Sequence, residues 1–246
     1  MSLHRFHVPG VSSSGTVELP EAAQAHVTRV LRLTEGSAIR VFDAGKEFDA
    51  AISRIEKRRI LIEVGVSVTA LPERAVALRL IMSPLKGDLT ELVIQKATEL
   101  GVARISPVIF ERTDTVARRD PSENRLERWR RVTVGASEQS GRAVVPQLDA
   151  VASLNEIVEG LGSMKKEDER RIVATEPSIA NATTATATVH EVVSCVVAVG
   201  PAGGLSPNDL SMLSAAGFVA ERFAPHTLRS ETACIAALAI LGERFK

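Results

Sequence analysis

Residues 196–206, Val-Val-Ala-Val-Gly-Pro-Ala-Gly-Gly-Leu-Ser, constrain the fold more than any other stretch of the chain. Four apolar residues run without a polar break, a Gly/Pro turn follows, and a helix then starts. Ser206 suits an N-cap, Pro207 the first helical position and Asp209 the first turn. A second junction of the same kind comes soon after: a short strand at 218–223, a loop, and a final helix over 231–245 with Ser230 as its N-cap. Strands that leave through loops into helices indicate an α/β sheet, and in open sheets of that class ligands bind at the carboxyl ends of the strands.

Upstream the same alternation continues. Segments 77–82, 105–110 and 171–176 read as strands. Asp88, with Glu91 three residues on, reads as a capping-box start for a helix that buries Leu89, Leu92, Val93, Ala97 and Leu100 and stops at Gly101. A basic helix is predicted over 121–139, with Trp129 as a core or interface anchor. Segment 160–170 reads as a surface loop, and 181–188 is a Thr/Ala tract with little structural information. The first seventy residues differ. Short strands at 5–8, 38–43, 47–55 and 60–68, a hairpin turn at 43–46 and one helix within 20–31 suggest a small β-barrel. The expected layout is a β-barrel over residues 1–70, a linker, and an α/β domain over 75–246.

Composition narrows the partners. Only 3% of residues are aromatic, so the cores must be mainly Val, Leu, Ile and Ala. The 30 basic and 30 acidic residues balance, which does not announce a nucleic-acid binder. Arg54, Lys57, Arg58 and Arg59 cluster locally, as do Arg118, Arg119, Arg125, Arg128, Arg130 and Arg131; Glu123 and Glu127 interleave the second group, so on the residues alone it reads as an ion-paired helix face. There is no long apolar run and no leader pattern, so a soluble, cytoplasmic chain without a membrane partner is expected. Cys195 and Cys234 sit in apolar runs and read as buried small hydrophobes; a disulfide is not expected. No metal-ligand spacing occurs.

Gly200, Gly203 and Gly204 let backbone approach a flat ligand. The loop has neither the Walker nor the dinucleotide fingerprint, and an ordinary glycine turn is an equally good reading of it. At the second junction Glu231 suits a helix start, whereas Arg229 opposes the helix dipole and needs another reason. The cluster Glu138-Gln139-Ser140-Gly141-Arg142 reads equally as a polar helix end with Gly141 as its left-handed cap.

Gly200-Pro201-Ala202-Gly203-Gly204-Leu205-Ser206 and Leu228-Arg229-Ser230-Glu231-Thr232-Ala233 resemble the RsmE family of SPOUT-class ribosomal RNA methyltransferases. The likeness extends in order to Lys86–Gly101, to Glu138–Arg142 with Val145-Pro146, and to His4–Val8 and Val30–Leu33. It implies a PUA-like RNA-binding barrel followed by a SPOUT domain, a mostly parallel sheet with a trefoil knot. It implies a homodimer that uses S-adenosyl-L-methionine to methylate N3 of a uridine in 16S rRNA of the small ribosomal subunit, with no DNA partner. On this resemblance the cofactor residues are Thr175, Glu176, Gly200, Pro201, Gly203, Gly204, Leu228, Ser230 and Thr232. The catalytic set is Arg229, Glu231, Glu138 and Arg142, and the RNA contacts are Arg5, His26, Arg29, Arg32, Lys86, Lys96 and Arg112. For His26, half-packing on the barrel is an equal alternative.

The chain departs from the family pattern in three places. Ala202 stands for a usual Glu, Ala224-Pro225-His226 for Gly-Pro-Arg, and Ser230 for Thr. Ser keeps the hydroxyl, Ala202 removes a carboxylate, and His226 is only partly charged near neutral pH. A non-catalytic RNA-binding protein that keeps the fold is the alternative these departures leave open; an unrelated nucleotide-binding transferase is a third.

Overall fold

The computed structural model describes residues 3–57, 59–115, 123–161, 168–176 and 192–245. Two compact units form: the chain up to Glu73 together with Val134–Val145, and Arg74–Thr133 together with the chain from Pro146. The tract at 181–188, Arg58, Arg118 and Arg119 lie outside the described residues.

In the first unit, β1 (His4–His7), β2 (Gly15–Glu18), β3 (Ala38–Asp43), β4 (Lys46–Ile55) and β5 (Ile60–Val68) form one sheet in the order β1-β3-β4-β5-β2. β1 and β3 are parallel and the other pairs antiparallel. Alternation sets its core: Ile60, Ile62 and Val64 are buried while Glu63 between them is exposed. Ala44 and Gly45 both take positive φ, 47° and 81°, the backbone that a two-residue turn needs to follow strand twist. β2 is not expected from the sequence, and its pairing with β5 defines it. The helix predicted within 20–31 changes character midway. α1 (Glu21–Ala25) passes into a π-helical turn (His26–Val30), closed by the Leu31 N–H on the His26 carbonyl at 3.0 Å. Arg32 then leaves the turn at φ 52°.

The second unit carries β6 (Ala77–Met82), α2 (Leu89–Glu99), β7 (Arg104–Ile109), α3 (Glu123–Ser140, its last residues packing with the first unit), β8 (Gln147–Leu148), β9 (Ala152–Ser153), α4 (Leu154–Leu161), β10 (Glu169–Ala174), β11 (Ser194–Val199), α5 (Pro207–Ala215), β12 (Val219–Glu221) and α6 (Ser230–Arg244). The strand order is β12-β10-β11-β6-β7-β8, with β9 also on β7, and every pairing is parallel. The uninterrupted run in β11 now has its reason. Cys195, Val197 and Val199 join one apolar cluster with α2 and α6, while Val196 and Ala198 join another with α4 and α5. A parallel sheet is covered on both faces, so the apolar run of this central strand is buried from Cys195 to Val199. Helix α4 and strand β10 shorten the predicted loop at 160–170 from both sides, and 162–167 lie outside the described residues.

Two expectations for α2 are corrected. Asp88 makes no side-chain cap bond; its backbone (φ −85°, ψ 2°) lacks the extended form a cap needs, and its carboxylate faces Arg128 at 3.3 Å. The buried face is Thr90, Val93, Ile94, Ala97 and Thr98, while Leu89 and Leu92 stay 37% and 38% exposed. Thr90 Oγ1 accepts from the Leu85 N–H and donates to the Leu85 carbonyl, and Thr98 donates to the Ile94 carbonyl. Satisfied hydroxyls let threonines occupy the core side and turn the leucines to its edge. Arg74 joins two helix ends, donating to Leu100 O at 2.9 Å and Gly242 O at 2.6 Å. Along α3, Arg130 pairs with Glu123 and Glu127, and Arg128 with Glu91, so this basic face is ion-paired; Trp129 is buried, with Arg125 4.8 Å over its ring.

Candidate functional site

The ends of four parallel strands of the second unit open onto a cleft of about 230 Å³. Thr175 and Glu176 follow β10; Val199, Gly200, Pro201, Gly203, Gly204 and Leu205 leave β11; Phe223, Ala224, His226 and Leu228 follow β12; Arg112 follows β7; Ser230 and Ala233 enter from α6. Thus the two strand–helix loops singled out in the sequence line one cavity.

Local chemistry holds these walls. The Gly204 N–H donates to the Pro201 carbonyl at 2.9 Å, closing a tight turn that Gly204 completes at φ 72°. A Cβ on Gly200 would lie 2.7 Å from Leu205 Cγ, so glycine is needed there for close approach. Ser206 caps α5 in a full capping box: its hydroxyl accepts from Asp209 N at 3.0 Å, and Asp209 Oδ2 accepts from Ser206 N at 2.9 Å. Asp209 Oδ1 also accepts from Glu111 N at 3.3 Å, and Arg112 donates to Gly203 O at 3.3 Å and Leu205 O at 3.5 Å. One buried carboxylate therefore ties the glycine loop to the loop after β7. On the far wall, Thr175 donates through both its N–H and its hydroxyl to the Glu221 carbonyl.

The model of the RNA methyltransferase domain matches residues 72–242, and that of the RNA methyltransferase PUA domain matches 19–65. The ribosomal RNA small subunit methyltransferase E of Neisseria gonorrhoeae, solved bound to S-adenosyl methionine, is 31% identical over 98% of both chains, with a TM-score of 0.85. The chain belongs to the ribosomal RNA small subunit methyltransferase E family. A putative methyltransferase of Legionella pneumophila, solved with bound cofactor SAM, superposes with a TM-score of 0.88 at 28% identity, over 99% of this chain and 98% of that one. The small subunit methyltransferase E of Synechocystis is 29% identical, over 91% of this chain and 72% of its own. The fold is thus the expected pair, a PUA-like unit and a SPOUT-class α/β unit.

Of the cofactor residues that the likeness to the small subunit methyltransferase E family implied, Thr175, Glu176, Gly200, Pro201, Gly203, Gly204, Leu228 and Ser230 line the cleft; Thr232 does not, and is exposed in the first turn of α6. Arg229 and Glu231 flank lining residues without lining the cleft themselves. Ser230 is not the cap: α6 begins at it, and Arg229 holds the cap position with no side-chain bond. Ala202, where the methyltransferase E family usually has Glu, is exposed and outside the lining, whereas His226 is part of it.

Glu138 and Arg142, expected in catalysis, belong to the first unit and are engaged there. Arg142 is buried and donates from Nε and Nη2 to the Glu73 carboxylate. Arg5, expected on RNA, gives all five of its N–H donors to Glu47 and to the carbonyls of Ser137, Glu138 and Arg142, with Phe42 beneath it at 4.6 Å. It neutralises the carboxyl end of α3 and is unavailable to a ligand. The sequence hid this because long-range carbonyl acceptors leave no motif. Glu138 Oε1 accepts from His7 N at 3.0 Å, yet burial raises its pKa above the ordinary 4.5 against the pull of that bond, His26, His7 and Arg5. The folded unit therefore holds this proton more tightly than the unfolded chain. The resulting stability is complete below pH 4.5 and is lost as pH rises through the folded-state value. Glu138→Gln should flatten that fall in a plot of thermal midpoint against pH; an unchanged slope would assign it to other groups.

Of the other residues expected on RNA, His26, Arg29 and Arg32 are exposed on the π-helical turn and its exit. Lys86 pairs with Asp114 at 2.9 Å and Lys96 with Glu99 at 2.9 Å, while Arg112 lines the cleft. Cys195 and Cys234 are free and buried, and burial pushes the Cys195 thiol up to about 12 and Cys234 higher. Among the described residues, none form a metal-ligand cluster and no helix is long and apolar enough to cross a membrane.

Proposed function

We propose that this protein methylates N3 of a uridine in 16S rRNA of the small ribosomal subunit, using S-adenosyl-L-methionine, as a cytoplasmic homodimer. The observation that carries the reading is the single cleft built from the glycine loop and the loop before α6, in a chain whose solved relatives hold that cofactor. The cleft's residues suit it. Glycine backbone at Gly200, Gly203 and Gly204 admits a flat base; Val199, Pro201, Leu205, Phe223 and Leu228 give apolar walls; Thr175 and Ser230 offer polar atoms.

When bound, the cofactor supplies an electrophilic methyl group. The harder part falls to the protein, because uracil N3 carries a proton near neutral pH. Glu231 takes that proton, and Arg229 stabilises the charge that spreads onto the ring carbonyls. Both are chain neighbours of the cleft-lining residues Leu228 and Ser230, which supports this assignment. N3 lies on the Watson–Crick edge, so the uridine must be unpaired. His26, Arg29 and Arg32 form the RNA-contacting part of the PUA-like unit, and the unit made of Arg74–Thr133 and the chain from Pro146, in place of the whole of 75–246, carries the catalysis.

Titration calorimetry with S-adenosyl-L-methionine, followed by methyl transfer to small subunits lacking the mark, tests this. One saturable site per subunit and transfer are expected, with Arg229→Ala folded, still binding cofactor, and reduced roughly 100-fold or more in turnover. Cofactor binding without transfer to any small-subunit substrate would favour a non-catalytic RNA-binding protein. Full activity in Arg229→Ala would remove that residue from the mechanism.

A further inference from the structure

Among the described residues, an arginine and a glutamate in the cleft converge without pairing. A methyl group built on Gly204 would lie 3.7 Å from Glu176 Oε1 and 4.0 Å from Arg112 Nη1. The two side chains nonetheless form no salt bridge with each other. Arg112 is tethered through Nη1 to the carbonyls of Gly203 and Leu205, which leaves its Nε and Nη2 donors uncommitted among the described residues. Glu176 has no hydrogen-bond or ion-pair partner among them. Both groups line the cleft from opposite loops, one after β7 and the other after β10.

Opposite charges held apart across a glycine complement a dipolar ion, one that carries an ammonium and a carboxylate on the same carbon. Glycine matters here for a second reason besides its φ of 72°: any side chain at position 204 would fill the gap between the charges. We propose that Arg112 and Glu176 clamp the amino-acid end of the cofactor, Arg112 donating to its α-carboxylate and Glu176 accepting from its α-ammonium. This moves Arg112 from the RNA-contacting set to the cofactor site. The inference rests on the methyltransferase reading and deepens it.

Two ligands separate the clamp from the rest of the cleft. S-Adenosylhomocysteine carries the amino-acid end; 5′-methylthioadenosine keeps the nucleoside and the thioether but lacks that end. Calorimetric titration of the wild type, Arg112→Gln and Glu176→Gln with each is the test. Each variant should lose roughly 10- to 100-fold in affinity for S-adenosylhomocysteine, the worth of a hydrogen bond to a charged group, and no more than about twofold for methylthioadenosine. Equal losses on both ligands, or none on either, would overturn the clamp while leaving the methyltransferase reading in place. A wild type that binds neither ligand would overturn that reading and the clamp with it.

Discussion

Replacing Arg244 by Ala is expected to lower the thermal midpoint of the second unit by roughly 10 °C, since breaking a buried ion pair costs about 3–5 kcal/mol and a chain of this size loses about 2–4 °C per kcal/mol. Arg244 is the last residue of α6, and its guanidinium meets Glu221 at 2.7 and 3.1 Å, one nitrogen to each carboxylate oxygen. Glu221 is 4% exposed, so the truncation would strand a charge without water or partner. The effect should reach the cleft, because the Glu221 carbonyl is what Thr175 holds, and the loop carrying Phe223 and His226 starts just beyond. Thermal unfolding and cofactor titration of the same variant check both claims. The double change Glu221→Met with Arg244→Leu should recover most of the loss, since an apolar pair leaves no charge to solvate. A double variant as unstable as Arg244→Ala would mean that the pair's geometry, and not the stranded charge, is what matters.

Gly200→Ala is expected to weaken cofactor binding by roughly 5- to 150-fold, corresponding to about 1–3 kcal/mol for an overpacked site. The new methyl would stand 2.7 and 2.9 Å from Leu205 Cγ and Cδ2, closer than carbon atoms approach. Leu205 cannot yield freely. It lines the cleft, its carbonyl accepts from Arg112, and the capping box at Ser206 fixes the next residue. The backbone of the loop must therefore shift, and that backbone is the wall the cofactor would rest on. Calorimetry with S-adenosyl-L-methionine checks the loss, and Leu205→Ala in the same chain should restore part of it by removing the colliding carbons. Failure of that second change to restore any affinity would separate the defect from the Leu205 contact.

The parts of this protein that were legible in its sequence are those set by neighbours a few residues apart. The α5 cap followed from Ser206, Pro207 and Asp209 because a capping box closes over three residues. Strands β3, β5 and β6 begin and end where hydrophobic pattern and turn residues put them. The cleft lining was readable because glycines and a helix start are local signals. What was not legible shares one cause. The buried face of α2 was missed because threonine hydroxyls find their acceptors on backbone carbonyls, which side-chain hydrophobicity does not register. Arg5 was expected on RNA from the resemblance, and Glu138 and Arg142 stood out as a polar cluster that is costly without partners; in the fold their partners include Glu47, a backbone N–H, distant carbonyls and Glu73.

By itself the sequence determined the α/β character of residues 77–245, the β-rich start, and the two loops that line the cleft. These depend on period, turn chemistry and capping, all of them short-range. Only the tertiary structure decided which charged groups are spent on the fold and which remain for a ligand. Arg5 and Arg112 are both arginines beside short strands, yet one surrenders every donor to the fold and the other keeps part of its guanidinium in the cleft. The difference lies in acceptors brought near by the fold, more than a hundred residues away for each of Arg5's carbonyl contacts. A charge's role is set by what surrounds it in three dimensions, because burial without a partner is too costly to persist.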